Sequence, residues 1–321
     1  MIRILANDGI HADGKSLLEE ANYTVDVEKV PQEQLPEVLP KYDVIIVRSA
    51  TKVRRELIDH CPNLKIIARA GVGLDNIDVE YAREKGITVM NTPAASSQAV
   101  AELAFGHIFA LARFLHHSNR VMPEQGRSQF KALKKQYATG IQLRNKTLGI
   151  IGVGRIGQES ARLGLALGMQ VMPVDLIVDE VDIGISVFQS NNVQLGVTLE
   201  TQFMEDVLAK SDFITLHVPY SGGRPILAAE EIAKMKKGAF IINTSRGGAI
   251  DEAALLEGLN SGQVGGAGLD VFENEPTPRQ ELMEHPNVSV SPHIGASTLE
   301  AQANIGLELA DKIIAFFGDD K

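Results

Sequence analysis

The sequence predicts an α/β protein built on two doubly wound parallel sheets. Short β-branched runs alternate with longer helical patterns along the chain, the order that produces parallel strands joined by crossover helices. A fresh apolar run ending in a glycine-rich turn, "IIGVGRIG", starts deep inside the chain at residue 150. A length of 321 residues suits about two domains.

In the first half, "IRILAN", "TVDVEKV", "DVIIVR", "KIIARAG" and "ITVMNT" read as strands, because each is short, rich in Ile and Val, and closed by a polar residue or glycine. Residues 44–47 are apolar without a break, as in a strand buried on both faces. A long apolar helix is expected from Gln98 to Phe114, with Ser97 as its N-cap. After a polar stretch the strands resume as "TLGIIGVG", "QVMPVD", "FITLHVP", "AFIINTS", "GGAGLDV" and "NVSVSP". The final segment, Leu299 to Phe317, has a helical, amphipathic period. No strand follows it. It either crosses back to the first sheet, which makes the second domain an insertion, or stays on the second sheet as the end of two consecutive domains.

Composition narrows the function. A net charge of −10 and a pI near 5.3 supply no electrostatic footprint for nucleic acid or an anionic membrane. An anionic ligand must therefore be held by local cations. The single cysteine, Cys61, permits no intrachain disulfide, and the start "MIRILAND" already reads as a strand, so a reducing cytoplasm is expected. No apolar run reaches the roughly 18 residues of a membrane span.

Gly152, Gly154 and Gly157 form G-V-G-R-I-G between an apolar strand and a helical run, and Asp175 ends the next strand, 23 residues past Gly152. That context is the one a dinucleotide-binding βαβ unit requires. The first glycine permits a tight turn, the second lets backbone N–H groups approach a pyrophosphate, and the third lets the helix pack on the strand. The helix N-terminus favours the diphosphate charge. Asp175 accepts from ribose hydroxyls and repels a 2′-phosphate, which selects NAD over NADP.

Three further strand ends carry polar groups: Arg246 in "NTSRGG", Glu275 after Asp270 in "LDVFENEP", and His293 in "SPHIGAST". Oxidation of an alcohol to a ketone sends a hydride to nicotinamide and a proton to a base. Imidazole titrates near neutrality and suits that base, and a neighbouring carboxylate would orient it and raise its pKa. A guanidinium can hold a substrate carboxylate or polarise the carbonyl that forms. In the first half, "RSATKV" places Arg48, Ser49, Thr51 and Lys52 directly after a buried strand, where α/β sheets face their ligands.

Together, G-V-G-R-I-G, N-T-S-R-G-G, D-V-F-E-N-E-P and S-P-H-I-G-A-S-T resemble the D-isomer-specific 2-hydroxyacid dehydrogenases over essentially the whole chain. "VRSATKV", "RAGVGLDNID", "VMNTP" and "PHIGASTLEAQ" resemble the phosphoglycerate dehydrogenase branch of that family. The resemblance implies a Rossmann cofactor domain, residues 98–290, inserted into a flavodoxin-like substrate domain, residues 1–97 plus 291–321. It implies NAD-dependent oxidation of 3-phospho-D-glycerate to 3-phosphohydroxypyruvate, the first step of serine biosynthesis, without a metal. Arg246, Glu275 and His293 would be the catalytic set. NAD contacts would come from Thr92, Gly152, Gly154, Arg155, Ile156, Gly157, Asp175, Val218, Thr244, Ser245, Arg246, Asp270, His293, Gly295 and Ala296. Arg48 would bind the substrate phosphate, helped by Ser49 and Lys52, while the backbone at Ala70, Gly71, Val72 and Gly73 would receive the carboxylate. A homodimer through the cofactor domain is also implied.

The chain departs from its relatives in places. It has no Trp in the segment around residues 126–135, the loop "PYSGGRPI" lacks their usual threonine pattern, and Leu176 stands where Pro is frequent. Lys321 comes just past the last helix, so feedback inhibition through an appended serine-binding domain is not expected. Two alternatives share the motifs: another family member, such as a hydroxypyruvate/glyoxylate reductase or a D-lactate-type dehydrogenase, and a non-enzymatic NAD-sensing protein of the same fold.

Overall fold

The structure is a computed structural model that describes residues 1–186 and 194–318. Residues 319–321, the end of the expected substrate domain, and 187–193 lie outside the described residues. The chain forms two compact units, Met1–Ala99 with Ala296–Lys321, and Val100–Gly295.

The first unit holds five parallel strands: β1 (Arg3–Ala6), β2 (Thr24–Asp26), β3 (Val44–Val47), β4 (Ile66–Arg69) and β5 (Thr88–Asn91). Their order is β2-β1-β3-β4-β5. The uninterrupted apolar run of β3 follows from its burial on both faces. Ile45 and Val47 join a core with Leu5, Ile67 and Leu57, whereas Val44 and Ile46 join another with Ile4, Ile66 and Leu18. The final helix, Leu299–Gly318, closes that second core with Ile305, Leu309, Ile313 and Phe317. It also crosses the helix Ala12–Glu20 so closely that a Cβ on Gly14 would lie 2.4 Å from the Gly306 carbonyl oxygen.

The second unit holds a six-stranded parallel sheet of order β13-β12-β11-β10-β6-β7. Its strands are β6 (Thr147–Ile151), β7 (Gln170–Val174), β10 (Phe213–Leu216), β11 (Ala239–Asn243), β12 (Val264–Leu269) and β13 (Val288–Val290). Between β7 and β10 lies a separate antiparallel pair, β8 (Glu180–Ser186) and β9 (Gln194–Glu200). This pair breaks the expected strand–helix alternation. Val181 and Ile183, two residues apart, are buried with Leu199 packed beside them, the period of a half-buried strand.

The apolar helix runs from Ser97 to Ala112, two residues shorter than expected at its end. Phe114 takes a left-handed backbone, φ 55°, which stops one helix and starts the next, Leu115–Gln136. The polar stretch is thus helical, mostly exposed, with Gly126 and Leu133 buried. The boundary after β13 falls at residue 295 rather than 290, because Ser291 N donates to Leu269 O and the amides of Ile294 and Gly295 donate to Asp270. Among the described residues no single helix is long and apolar enough to cross a membrane.

Candidate active site

The glycine turn after β6 has the geometry each position demands. Gly152 has φ +93°, and a Cβ there would lie 2.4 Å from Val218 Cγ1. At Gly157 a Cβ would come within 2.0 Å of the Gly152 carbonyl oxygen, so only glycine lets the helix Arg155–Ala166 seat on the strand. Gly154 caps that helix, and nothing lies within 4 Å of the space its Cβ would take. The turn sits where the sheet order reverses, between β6 and β10, the place where open α/β sheets receive ligands.

Asp175 is pinned by its own surroundings. Its Oδ2 accepts from Val153 N at 2.9 Å and its Oδ1 from Ile177 N at 3.0 Å. Partial burial pushes its pKa up, but the backbone donors outweigh that and leave the carboxyl below its ordinary range. The turn therefore presents an open face, a helix N-terminus and a fixed negative charge, which together fit the diphosphate and ribose of a dinucleotide. The buried hydroxyl Oγ1 of Thr244, after β11, has no hydrogen-bond partner among the described residues and is available to a ligand. Ser245 is engaged differently: its hydroxyl donates to Asn243 Oδ1 at 2.7 Å, and Asn243 Nδ2 donates to Arg246 O. Thr92 and Ala296 belong to the first unit, where the Thr92 hydroxyl is likewise buried without a partner among the described residues.

Glu275 and His293, 18 residues apart, meet directly: Oε2 lies 2.8 Å from Nδ1. The other carboxylate oxygen accepts from Phe272 N at 3.0 Å, which orients the group. The hydrogen bond to Glu275 raises the imidazole pKa against the opposing effect of burial, and Arg246 pulls it down. Burial pushes Glu275 up, but His293, the Phe272 amide and Arg246 together leave it below its ordinary range. His293 itself has φ 55°, a strained backbone for a residue with a Cβ. The pair can orient an imidazole and hold a proton on it, beside a guanidinium close enough to influence both groups.

The loops under this group are locked to one another. A Cβ on Gly247 would lie 1.8 Å from Phe272 O, so the Arg246 turn presses on the Glu275 turn backbone to backbone. Glu252 and Glu273 each accept the other's backbone N–H, at 2.8 and 2.9 Å. Sequence reading did not find this clamp: Glu273 lies in the D-V-F-E-N-E-P motif, but its partner Glu252 is 21 residues away and outside any motif. The loop 219–226 is also defined: the Tyr220 hydroxyl donates to Gly223 O, and Gly222 and Gly223 take positive φ.

In the first unit, Arg48 and Ser49 line a pocket of ≈ 340 Å³ with Asn7, Asp8, Gly9 and Lys29. It lies past the ends of β1 and β3, where that sheet order reverses. Asp8, also missed in the sequence, shapes the turn: Oδ2 accepts from the Arg48 and Thr51 amides and Oδ1 from the Thr51 hydroxyl. Lys52 lines a second depression, with Gln32, Arg54 and His60. The expected carboxylate-binding backbone also narrows. Ala70 N donates to Val47 O and Gly71 N to Arg69 O. Among the described residues, the amides of Val72 and Gly73 donate to no backbone carbonyl.

Residues 105–295 match the D-isomer specific 2-hydroxyacid dehydrogenase, NAD binding domain family. The chain is 46% identical over 321 residues to a hydroxypyruvate reductase of Thermotoga maritima, covering 98% of each. It is 42% identical to a D-3-phosphoglycerate dehydrogenase of Methanocaldococcus jannaschii, covering 98% of this chain and 57% of that one. A glyoxylate reductase structure from Paecilomyes thermophila superposes with a TM-score of 0.79 at 29% identity, over 98% of this chain and 94% of the other. The glycine turn, the fixed Asp175 and the Glu275–His293 pair stand within the matched region, and the chain belongs to the NAD-dependent D-isomer-specific 2-hydroxyacid dehydrogenases.

Proposed function

We propose that the protein oxidises 3-phospho-D-glycerate to 3-phosphohydroxypyruvate, the first step of serine biosynthesis, with Arg246, Glu275 and His293 as its catalytic set. The observation that supports the substrate choice is the pocket bearing Arg48, Ser49 and Lys29, which brings a guanidinium, and an ammonium 3.8 Å from the Asp8 carboxylate, to a phosphate on a protein of net charge −10. A guanidinium forks onto phosphate oxygens, and an ammonium adds a point charge.

Bound NAD supplies the hydride acceptor. His293, neutral at the outset, takes the hydroxyl proton on Nε2 while Nδ1 is held by Glu275. Glu275 stabilises the imidazolium that results. Arg246 holds the substrate carboxylate and the oxygen of the forming carbonyl. With NAD bound, the C–H bond of the alcohol would give up its hydride to the cofactor and the O–H bond its proton to His293. Arg155 and Ile156 would present their amides to the diphosphate at the helix start, and Asp175 would hold the adenosine ribose.

The proposal includes a homodimer built on the second unit and a cytoplasmic setting. Phe109, Leu115, Met122 and Phe130 stand exposed along the helices of residues 97–136 and supply apolar surface to a second copy. The buried thiol of Cys61 forms no disulfide.

A second reading, hydroxypyruvate reductase, is favoured by the full-length match to the Thermotoga maritima protein. Initial rates in both directions on 3-phosphoglycerate, D-glycerate, hydroxypyruvate and glyoxylate separate the two. A higher kcat/KM for 3-phosphoglycerate than for D-glycerate supports the phosphoglycerate reading. The reverse preference replaces it with the reductase.

A further inference from the structure

We propose that His107 is a positioning residue for the active site: acting through Ser291 and Asp270, it fixes the turn that carries His293. The inference rests on His293 being the catalytic base.

His107 is buried, 5% exposed, on the helix Ser97–Ala112. Its Nδ1 lies 2.9 Å from Ser289 Oγ and its Nε2 3.0 Å from Ser291 Oγ, on residues 182 and 184 positions away. Space for the ring comes from β12, where a Cβ on Gly268 would lie 2.5 Å from His107 Cβ.

Hydrogen-bond accounting gives the relay a direction. Ser291 has one hydroxyl proton, and it goes to Asp270 Oδ1 at 2.6 Å. The Ser291 oxygen must therefore accept from His107, so Nε2 carries the ring proton and Nδ1 accepts from the Ser289 hydroxyl. Burial lowers the pKa of His107, which suits a neutral ring with one donor and one acceptor.

Asp270, 1% exposed, is the next link. Its two oxygens accept from Ile294 N and Gly295 N, both at 2.9 Å. These amides immediately follow His293, whose φ of 55° persists only if the surroundings enforce it. Tying down the next two amides is such an enforcement. The nearby charge of Asp270 also raises the pKa of His293. With an apolar side chain at 107, Ser291 would lose the donor that aims its proton at Asp270, and the hydroxyl could turn away.

The test is a double-mutant cycle on the full chain. kcat, KM and the pH profile for alcohol oxidation are measured for the unmodified protein, His107→Phe, Ser291→Ala and the double variant, with thermal melting as a check on folding. His107→Phe and Ser291→Ala should each lower kcat by roughly 3–30-fold, and the double variant should be no worse than the poorer single, as for residues acting in series. The acid limb of the profile should move to lower pH in all three, and His107→Gln, which keeps a donor and an acceptor, should recover part of the loss. Unchanged kcat and pH profile in Ser291→Ala overturns the relay even if His107→Phe fails to fold. So does a His107→Phe loss of the same size in the Ser291→Ala background, which would indicate packing alone. His293→Asn serves as the control: an active His293→Asn defeats the underlying base assignment. An inactive His293→Asn beside fully active His107→Phe and Ser291→Ala defeats only the relay.

Discussion

Glu275 Oε2 and His293 Nδ1 stand 2.8 Å apart, and that contact raises the pKa of the imidazole. One carboxylate oxygen meets the ring at Nδ1 while the other is held by the Phe272 amide. The consequences of this arrangement are testable.

His293→Asn should retain NAD binding, measured by fluorescence titration of NADH, while kcat falls by about 10²–10⁴, the scale of a positioned general base. Near-normal turnover would take the imidazole out of the mechanism.

Glu275→Gln should move the pH profile of alcohol oxidation to lower pH. The base must be neutral to accept a proton, so oxidation rises as pH climbs through the imidazole pKa. Glu275 holds that pKa up, and removing its charge lowers it. Ketone reduction needs the protonated ring and should lose its upper pH range in the same variant. A profile that stays in place would uncouple the two residues.

Asp175 should make NAD the better cofactor, since a 2′-phosphate would meet a carboxylate fixed by two amides. The ratio of kcat/KM with NAD to that with NADP should exceed one and shrink in Asp175→Ala. Equal use of both cofactors by the unmodified protein would contradict this.

Arg48→Ala should reduce kcat/KM for 3-phosphoglycerate by at least about tenfold, consistent with losing about 1.5–3 kcal/mol from a charged hydrogen bond. D-Glycerate should be affected much less, because it lacks the phosphate. Equal losses on both substrates would mark Arg48 as structural.

Glu252→Ala should lower stability by about 0.5–1.5 kcal/mol, measured by chemical denaturation, because it removes the acceptor of the part-buried Glu273 amide. Glu252→Gln keeps an acceptor at that position and should stay close to the unmodified protein. If both variants match the unmodified protein, the clamp contributes nothing.

Much of this fold is visible locally. The apolar run at residues 44–47 announces a strand buried on both faces, and β3 is one. Gly152, Gly154 and Gly157 could be assigned separate tasks because each depends on backbone geometry within a few residues: a positive φ, an open face and a 2.0 Å approach. Arg246, Glu275 and His293 stood out as reactive side chains at strand ends, and the parallel order of the sheet brings Glu275 to His293.

Other features depend on partners far along the chain. Lys52 follows Arg48 closely in sequence, yet the turn held by Asp8 sends the two to different depressions. The amide of Ala70, which the family resemblance assigned to the substrate carboxylate, donates instead to the Val47 carbonyl 23 residues earlier. His107 carries no motif in the sequence, and its role depends on Ser289, Ser291 and Gly268, which close around it. Periodicity and glycine patterns are short-range constraints that one stretch of sequence carries whole. Hydrogen bonds between residues some 20 to 180 positions apart exist only once packing has chosen which backbone and side-chain groups face each other, and that choice decides which polar groups remain for a ligand.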